Sequence, residues 1–108
     1  MQPEWISGNI FIRPNALPKV GDKVDGHKHN FDHTTIVFHG AVHVKATASD
    51  GTVIERDFVA PSHFLVKADT MHEITATVDG TLFWCVYSHR DPQGRITQTY
   101  DGWQESYH

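Results

Sequence analysis

A chain of 108 residues holds one domain with one core, too short for a second and long enough to fold without disulfide or metal staples. Hydrophobic residues make up 39%, aromatics 11% and charged residues 20%, which excludes a disordered chain, and no apolar run nears the about 20 residues of a membrane helix. A net charge of -4 with neutral histidines, and no run of Lys or Arg, makes nucleic acid and anionic membrane surfaces poor partners.

From the amino terminus, MQPEWISGNIF carries neither a basic start nor a long apolar segment, so no signal peptide is expected and the location reads as cytoplasmic. The lone cysteine, Cys85, cannot form an internal disulfide and agrees with that location. Short runs rich in Val, Ile, Thr and aromatics follow one another at residues 9–12, 34–39, 41–48, 52–59, 64–67, 72–78, 81–88 and 95–99, separated by turn residues. Ser49-Asp50-Gly51 and Asp79-Gly80 read as tight hairpin turns. Asp91-Pro92-Gln93-Gly94 closes the strand before it. No stretch keeps a helical period beyond two turns, so the expected class is all-β, a sandwich or small barrel. The tail holds Tyr100, Trp103 and Tyr107, rings that gain by burial, and is expected to pack over the barrel or against a second subunit.

The stretch GDKVDGHKHNFDHTTIVFHG places four of the nine histidines within thirteen residues. Either they are polar residues on a half-exposed strand, or they converge on something that binds imidazole. His27 and His29, two apart on a strand, share a face. For His33 to meet them the chain must bend between His29 and His33, at Asn30-Phe31-Asp32, where Asn and Asp tolerate such excursions. A helix across His29 and His33 is opposed by the β-branched run Thr34-Thr35-Ile36-Val37-Phe38. Asp32 competes as a ligand but points away from His33. His39 shares the face of His33, and its place beside Gly40 puts it at a rim. His43, His63, His89 and His108 read as surface residues.

The spacing resembles the first motif of the cupins, a family of small double-stranded β-helix or jelly-roll barrels. Gly21, five residues, His27-Lys28-His29, three residues, His33, six residues and Gly40 follow that motif, with His33 where the family usually has Glu. In the second motif His72 stands at the family's histidine, while Pro61, Lys67, Asp69 and Ala76 replace its Gly, Pro, Gly and Asn. The resemblance spans about residues 8–90 of a single domain taken as residues 1–108, with the aromatic tail at 95–108.

The resemblance implies one divalent ion, Fe, Mn, Ni, Cu or Zn, held by His27, His29, His33 and His72, a ligand set that suits all five. A site without the usual Glu keeps the ion's full charge of about +2 and favours an anionic or enolate-like ligand. The expected function is a small metal-dependent oxidoreductase of dioxygenase type acting on an enolate-like organic molecule. A lyase or isomerase using the ion as a Lewis acid is the first alternative, and a non-catalytic metal or ligand-binding domain the second. The expected partner is a small-molecule substrate, and family habit adds a possible homodimer. No dedicated acid or base stands out: Glu73 points outward, and Cys85 has no identifiable base. In the strand after Asp79-Gly80, Cys85 and Tyr87 share one face and Leu82, Trp84 and Val86 the other; which set faces the cavity is left open.

Overall fold

Alternating apolar and polar residues, jointed at glycines and Asp-Gly pairs, lay the chain out as strands stacked in two sheets. The computed structural model describes residues 3–27, 32–88, 93–95 and 103–107, with the backbone alone for 3, 4, 7, 25–27 and 103–107. Among the described residues the strands are β1 (Pro3–Ser7), β2 (Ile10–Leu17), β3 (Lys23–His27), β4 (His33–His39) and β5 (Ala41–Thr47). They continue with β6 (Val53–Val59), β7 (Ser62–Val66), β8 (Met71–Ala76), β9 (Thr81–Tyr87) and β10 (Trp103–Tyr107). One sheet runs β10-β1-β2-β9-β4-β7 and the other β3-β8-β5-β6, with every neighbour antiparallel. The expected all-β, jelly-roll class takes the form of two stacked sheets, and each hydrogen-bonded strand ladder stays within its own sheet.

The inner faces follow the two-residue period of a strand. On β4, His33, Thr35 and Val37 are buried, and on β8, His72, Ile74 and Ala76. On β9 the buried residues are Thr81, Phe83 and Tyr87, so the face that also carries Cys85 is the inner one. Leu17, Val37, Val42, Val44, Ile74, Ala76 and Phe83 form the main core, and each buried Val, Ile, Leu or Phe contributes about 1.5–3 kcal/mol. A second cluster joins Ile6 to Phe11 and Tyr87, whose rings stack at 5.5 Å.

β1, β3 and β10 lie outside the sequence expectation, and β2 extends well past the expected 9–12. β2 runs on through Pro14 because β1 pairs with it only as far as Ile12, so beyond that point one side of β2 has no ladder partner to lose. β1 and β10 pair over their whole length, from Pro3 with Tyr107 to Ser7 with Trp103. The sequence Trp103–Tyr107 has no β-branched residue, and it becomes a strand by adding to the edge that β1 offers. β3 pairs with β8 through an irregular register between Val24 and His27. Of the expected strand at 95–99, residues 96–99 lie outside the described residues, as does the turn at Asp91-Pro92.

The hairpins match their turn residues. Gly51 adopts φ 89°, and Asp50 accepts a hydrogen bond from the Thr52 amide at 2.9 Å, which holds its carboxyl below the usual range. Asp79 reaches back to the Val20 amide at 2.8 Å and ties the β8–β9 turn to the loop before β3.

On the outer face of the four-stranded sheet His43 lies between two carboxylates. Its Nδ1 is 2.7 Å from Asp57 and its Nε2 is 3.1 Å from Glu55. Glu55 first and Asp57 next raise its pKa above the ordinary value. A raised folded-state pKa means that the interaction stabilises the fold below the unfolded value of about 6.5 and fades as pH climbs through the raised one. Glu55→Gln is expected to bring the His43 titration, followed by NMR, back toward the ordinary value; a curve that does not move would refute the assignment.

Candidate metal centre

Two of the four predicted ligands are fully described, and they face each other across the sandwich. His72 sits in the middle of the four-stranded sheet, beside Ala46 on β5 and His27 on β3, and is 1% exposed. His33 opens β4 in the six-stranded sheet and is 3% exposed. Their ring centroids are 5.2 Å apart at an interplanar angle of 60°. β3 ends at His27 and β4 begins at His33 in the opposite sheet, so the chain changes sheets within the H-x-H-x3-H stretch. That crossing supplies the change of direction the spacing demands.

His27 is described by its backbone alone, directly opposite His72 in the ladder, and His29 lies outside the described residues. Among the described residues no group of three or more His, Cys, Asp or Glu side chains is placed to hold a metal ion.

The surroundings orient both rings. His72 Nδ1 is 3.2 Å from the Thr70 carbonyl oxygen, a bond that requires the proton on Nδ1 and leaves the lone pair on Nε2. A backbone carbonyl in this role is the usual outer partner of a ligating imidazole. The Thr35 hydroxyl lies 3.4 Å from His33 Nδ1 and 3.8 Å from Cys85 Sγ. Burial pushes the Cys85 thiol up, against smaller downward pulls from the Thr35 hydroxyl and the Arg13 guanidinium. It is therefore a neutral polar lining group, and its role as a nucleophile is not supported.

The motif glycines keep the geometry their positions ask for. Gly21 and Gly40 have φ of 91° and 83°. Asp69, which replaces a motif glycine, also holds a positive φ of 60°, a conformation that Asp tolerates better than most side chains. The departure at position 69 thus changes the residue and keeps the turn.

Other candidates fall away from the centre. Asp32 is exposed and accepts the Ala68 amide at 2.7 Å. His39 does not share the face of His33: a register shift between Val37 and His39 turns it outward, where its Nδ1 donates to the Gly80 carbonyl at 2.6 Å. His63 is exposed, while His89 and His108 lie outside the described residues. Glu73 pairs with Lys23 at 3.9 Å.

A cavity of about 540 Å³ opens between the edges β6 and β7, walled by Val44, Ala46, Phe58 and Phe64 with the exposed Arg56 and His63 at its lining. Ala46, one of its walls, is the strand neighbour of His72, while neither His33 nor His72 lines the cavity itself. Three polar inner residues were not singled out from sequence: Arg13, Asn15 and Thr35. Their one signal is parity, since Arg13 and Asn15 alternate with the buried Phe11 and Leu17.

No family model and no curated protein sequence matches the chain. Solved structures do. An oxalate decarboxylase from Lactobacillus farciminis, in a formate complex, superposes with a TM-score of 0.72 at 20% identity over 81% of this chain and 28% of that one. The S161A mutant of the Bacillus subtilis oxalate decarboxylase gives 0.72 at 17% identity over 92% and 27%. A structure of the same enzyme concerned with its Mn(II) centres gives 0.72 at 18% identity over 92% and 27%. The chain spans little more than a quarter of the length of these proteins, and at such identities the likeness is one of architecture. Two antiparallel sheets in jelly-roll order, superposable on the oxalate decarboxylases, give this chain the cupin fold.

Proposed function

We propose that the chain is a mononuclear metal-binding cupin enzyme in which His27, His29, His33 and His72 hold one divalent transition ion and a small organic anion is the substrate. The observation that carries this reading is the buried pair His33 and His72, two imidazoles meeting from opposite sheets, one with its Nδ1 occupied by a carbonyl. Two imidazoles converging at a buried place form a donor set that an ion can share. The donor chemistry fits Fe, Mn, Ni, Cu or Zn, and the Mn(II) centres named for a similar structure support a divalent ion.

Such an ion, when bound, polarises oxygen donors of a ligand and lowers the pKa of an enol or bound water. The chain's own residues do the rest. The Thr70 carbonyl and the Thr35 hydroxyl hold the rings, Val44, Ala46, Phe58 and Phe64 give the neighbouring cavity an apolar wall, and the Cys85 thiol stays neutral. No described side chain near the histidines is placed as a general base, so the reaction would rest on charge stabilisation more than on proton transfer.

Two reaction types use this centre. A dioxygenase-type oxidation of an enolate-like molecule needs a redox-capable ion and dioxygen. A lyase or isomerase needs only a Lewis acid, and the likeness to decarboxylases favours it. Elemental analysis of the purified protein is expected to give near-stoichiometric Fe, Mn, Ni, Cu or Zn. Turnover of small carboxylates and enols that survives Zn substitution and anaerobic conditions identifies the lyase; turnover that stops under both identifies the oxygenase. Metal-free protein that resists loading overturns the metalloenzyme reading. A loaded protein with no turnover on such a panel leaves a binding domain.

A further inference from the structure

The inner face of the six-stranded sheet carries a cation among the polar groups that lead to His33. Registers of β2, β9 and β4 line up Arg13, Cys85 and Thr35 in one row across three neighbouring strands. Thr35 then contacts His33, one step further along β4. Beside Arg13 on β2, Asn15 directs its amide toward Cys85 Sγ at 3.9 Å. Phe11 and Leu17, which flank this pair on the same face, are buried. Arg13 therefore sits on the core side of its strand, where a charged residue is uncommon.

Its guanidinium also lacks the usual compensation. The Nε of Arg13 is buried and makes no hydrogen bond, and among the described residues no carboxylate pairs with it. A stem packed on apolar surface with its head in water is the ordinary way to accommodate such an arginine. Here it is Nε, the atom that with one terminal nitrogen forms the fork for a planar anion, that lies inside without an acceptor.

We infer that Arg13 anchors a carboxylate of the ligand, its Nε–H edge gripping the anion while the rest of a small molecule extends past Cys85 and Thr35 toward His33 and His72. The inference rests on the proposed histidine centre as the reacting end and adds the group that selects the other end. It narrows the substrate class to small carboxylates carrying a second oxygen donor a few atoms away. Arg13 is a binding and specificity residue, and no bond change is assigned to it.

The test compares wild type, Arg13→Gln and Arg13→Lys by calorimetric titration with acetate, pyruvate and oxalate, with pyruvamide as a neutral counterpart of pyruvate. Metal content is read on the same samples by elemental analysis. Arg13→Gln is expected to keep the wild-type metal content, lose about tenfold or more in affinity for the carboxylates, as loss of a charge-assisted bond would predict, and bind pyruvamide unchanged. Arg13→Lys, with the charge but not the fork, is expected to fall between the two, and it carries the test if the glutamine variant does not fold. Carboxylate binding equal in all three proteins, or absent from wild type, overturns the inference. The two readings fail separately: metal retained with indifferent carboxylate affinity removes Arg13 alone. Charge-dependent binding in a protein that never holds metal removes the histidine centre and leaves the anchor.

Discussion

Truncation of His72 to alanine is expected to weaken metal retention by about 100-fold or more, equivalent to about 2.7 kcal/mol. Loss of an outer hydrogen-bonding partner of a ligand costs about 10–100-fold, and loss of the ligand itself should exceed that. Of the four proposed ligands His72 has the best-defined setting: 1% exposed, flanked by Ala46 and His27 in the ladder, and fixed through the Thr70 carbonyl. Competition with a chelator, read by elemental analysis after dialysis, measures the change. A buried core histidine without a ligand role predicts something different, namely a lower melting temperature with no change in metal content. Melting the wild type with and without chelator separates the two, because only a ligand makes the difference between those curves vanish in the variant.

The second large effect is structural. Gly40→Ala is expected to lower the melting temperature by about 10 °C or more. At φ 83° a side chain costs about 1–2 kcal/mol from its own backbone. A Cβ there would also press on the Thr81 hydroxyl and lie 2.8 Å from the Thr81 Cα, and crowding of this kind costs about 1–3 kcal/mol more. Thr81 has little room to yield. It is fully buried, and its hydroxyl bonds the Val78 and Ala41 carbonyls at 3.0 and 3.2 Å. In a domain of this size each kcal/mol shifts the midpoint by about 4–8 °C. Gly51→Ala is the matched control. Gly51 has a similar φ of 89° but nothing within 4 Å of the added atom, so it should show the conformational cost alone. Equal losses at the two sites would remove the crowding argument.

The strands that the sequence announces most clearly are those whose local pattern and tertiary pairing agree. Residues 34–39 and 81–88 are β-branched and aromatic, end at glycine or Asp-Gly, and fold as β4 and β9 within a residue or two. β10 had no such signal, because its strand character comes from the neighbouring β1 and not from WQESY. The start of β2 was legible at 9–12, and only its continuation hid behind Pro14, whose tolerance depends on where its neighbour stops. Parity arguments carried far but not through irregularities: His39 follows His33 by an even number and still faces out, since a bulge consumes one step.

At the site, motif spacing placed His33 and His72 on inner faces, although the second motif retained little besides the histidine. Asp69 explains part of that, since a required backbone conformation can be met by more than one residue type. Arg13 could not be ranked from sequence. Its meaning depends on there being no acid beside it among the described residues, which is visible only once the neighbours are known.

The placement of the two histidines has a mechanical consequence. His33 belongs to one sheet and His72 to the other, and no strand ladder joins the two sheets. Their meeting point is therefore a seam that local folding of either layer cannot create. Anything gripped there acts as a rivet through the thickness of the sandwich, resisting the slippage of one layer over the other while leaving each ladder as it was. Occupancy of the seam thus reports that the layers have docked, and the looseness of the layers in turn limits how firmly the seam can grip.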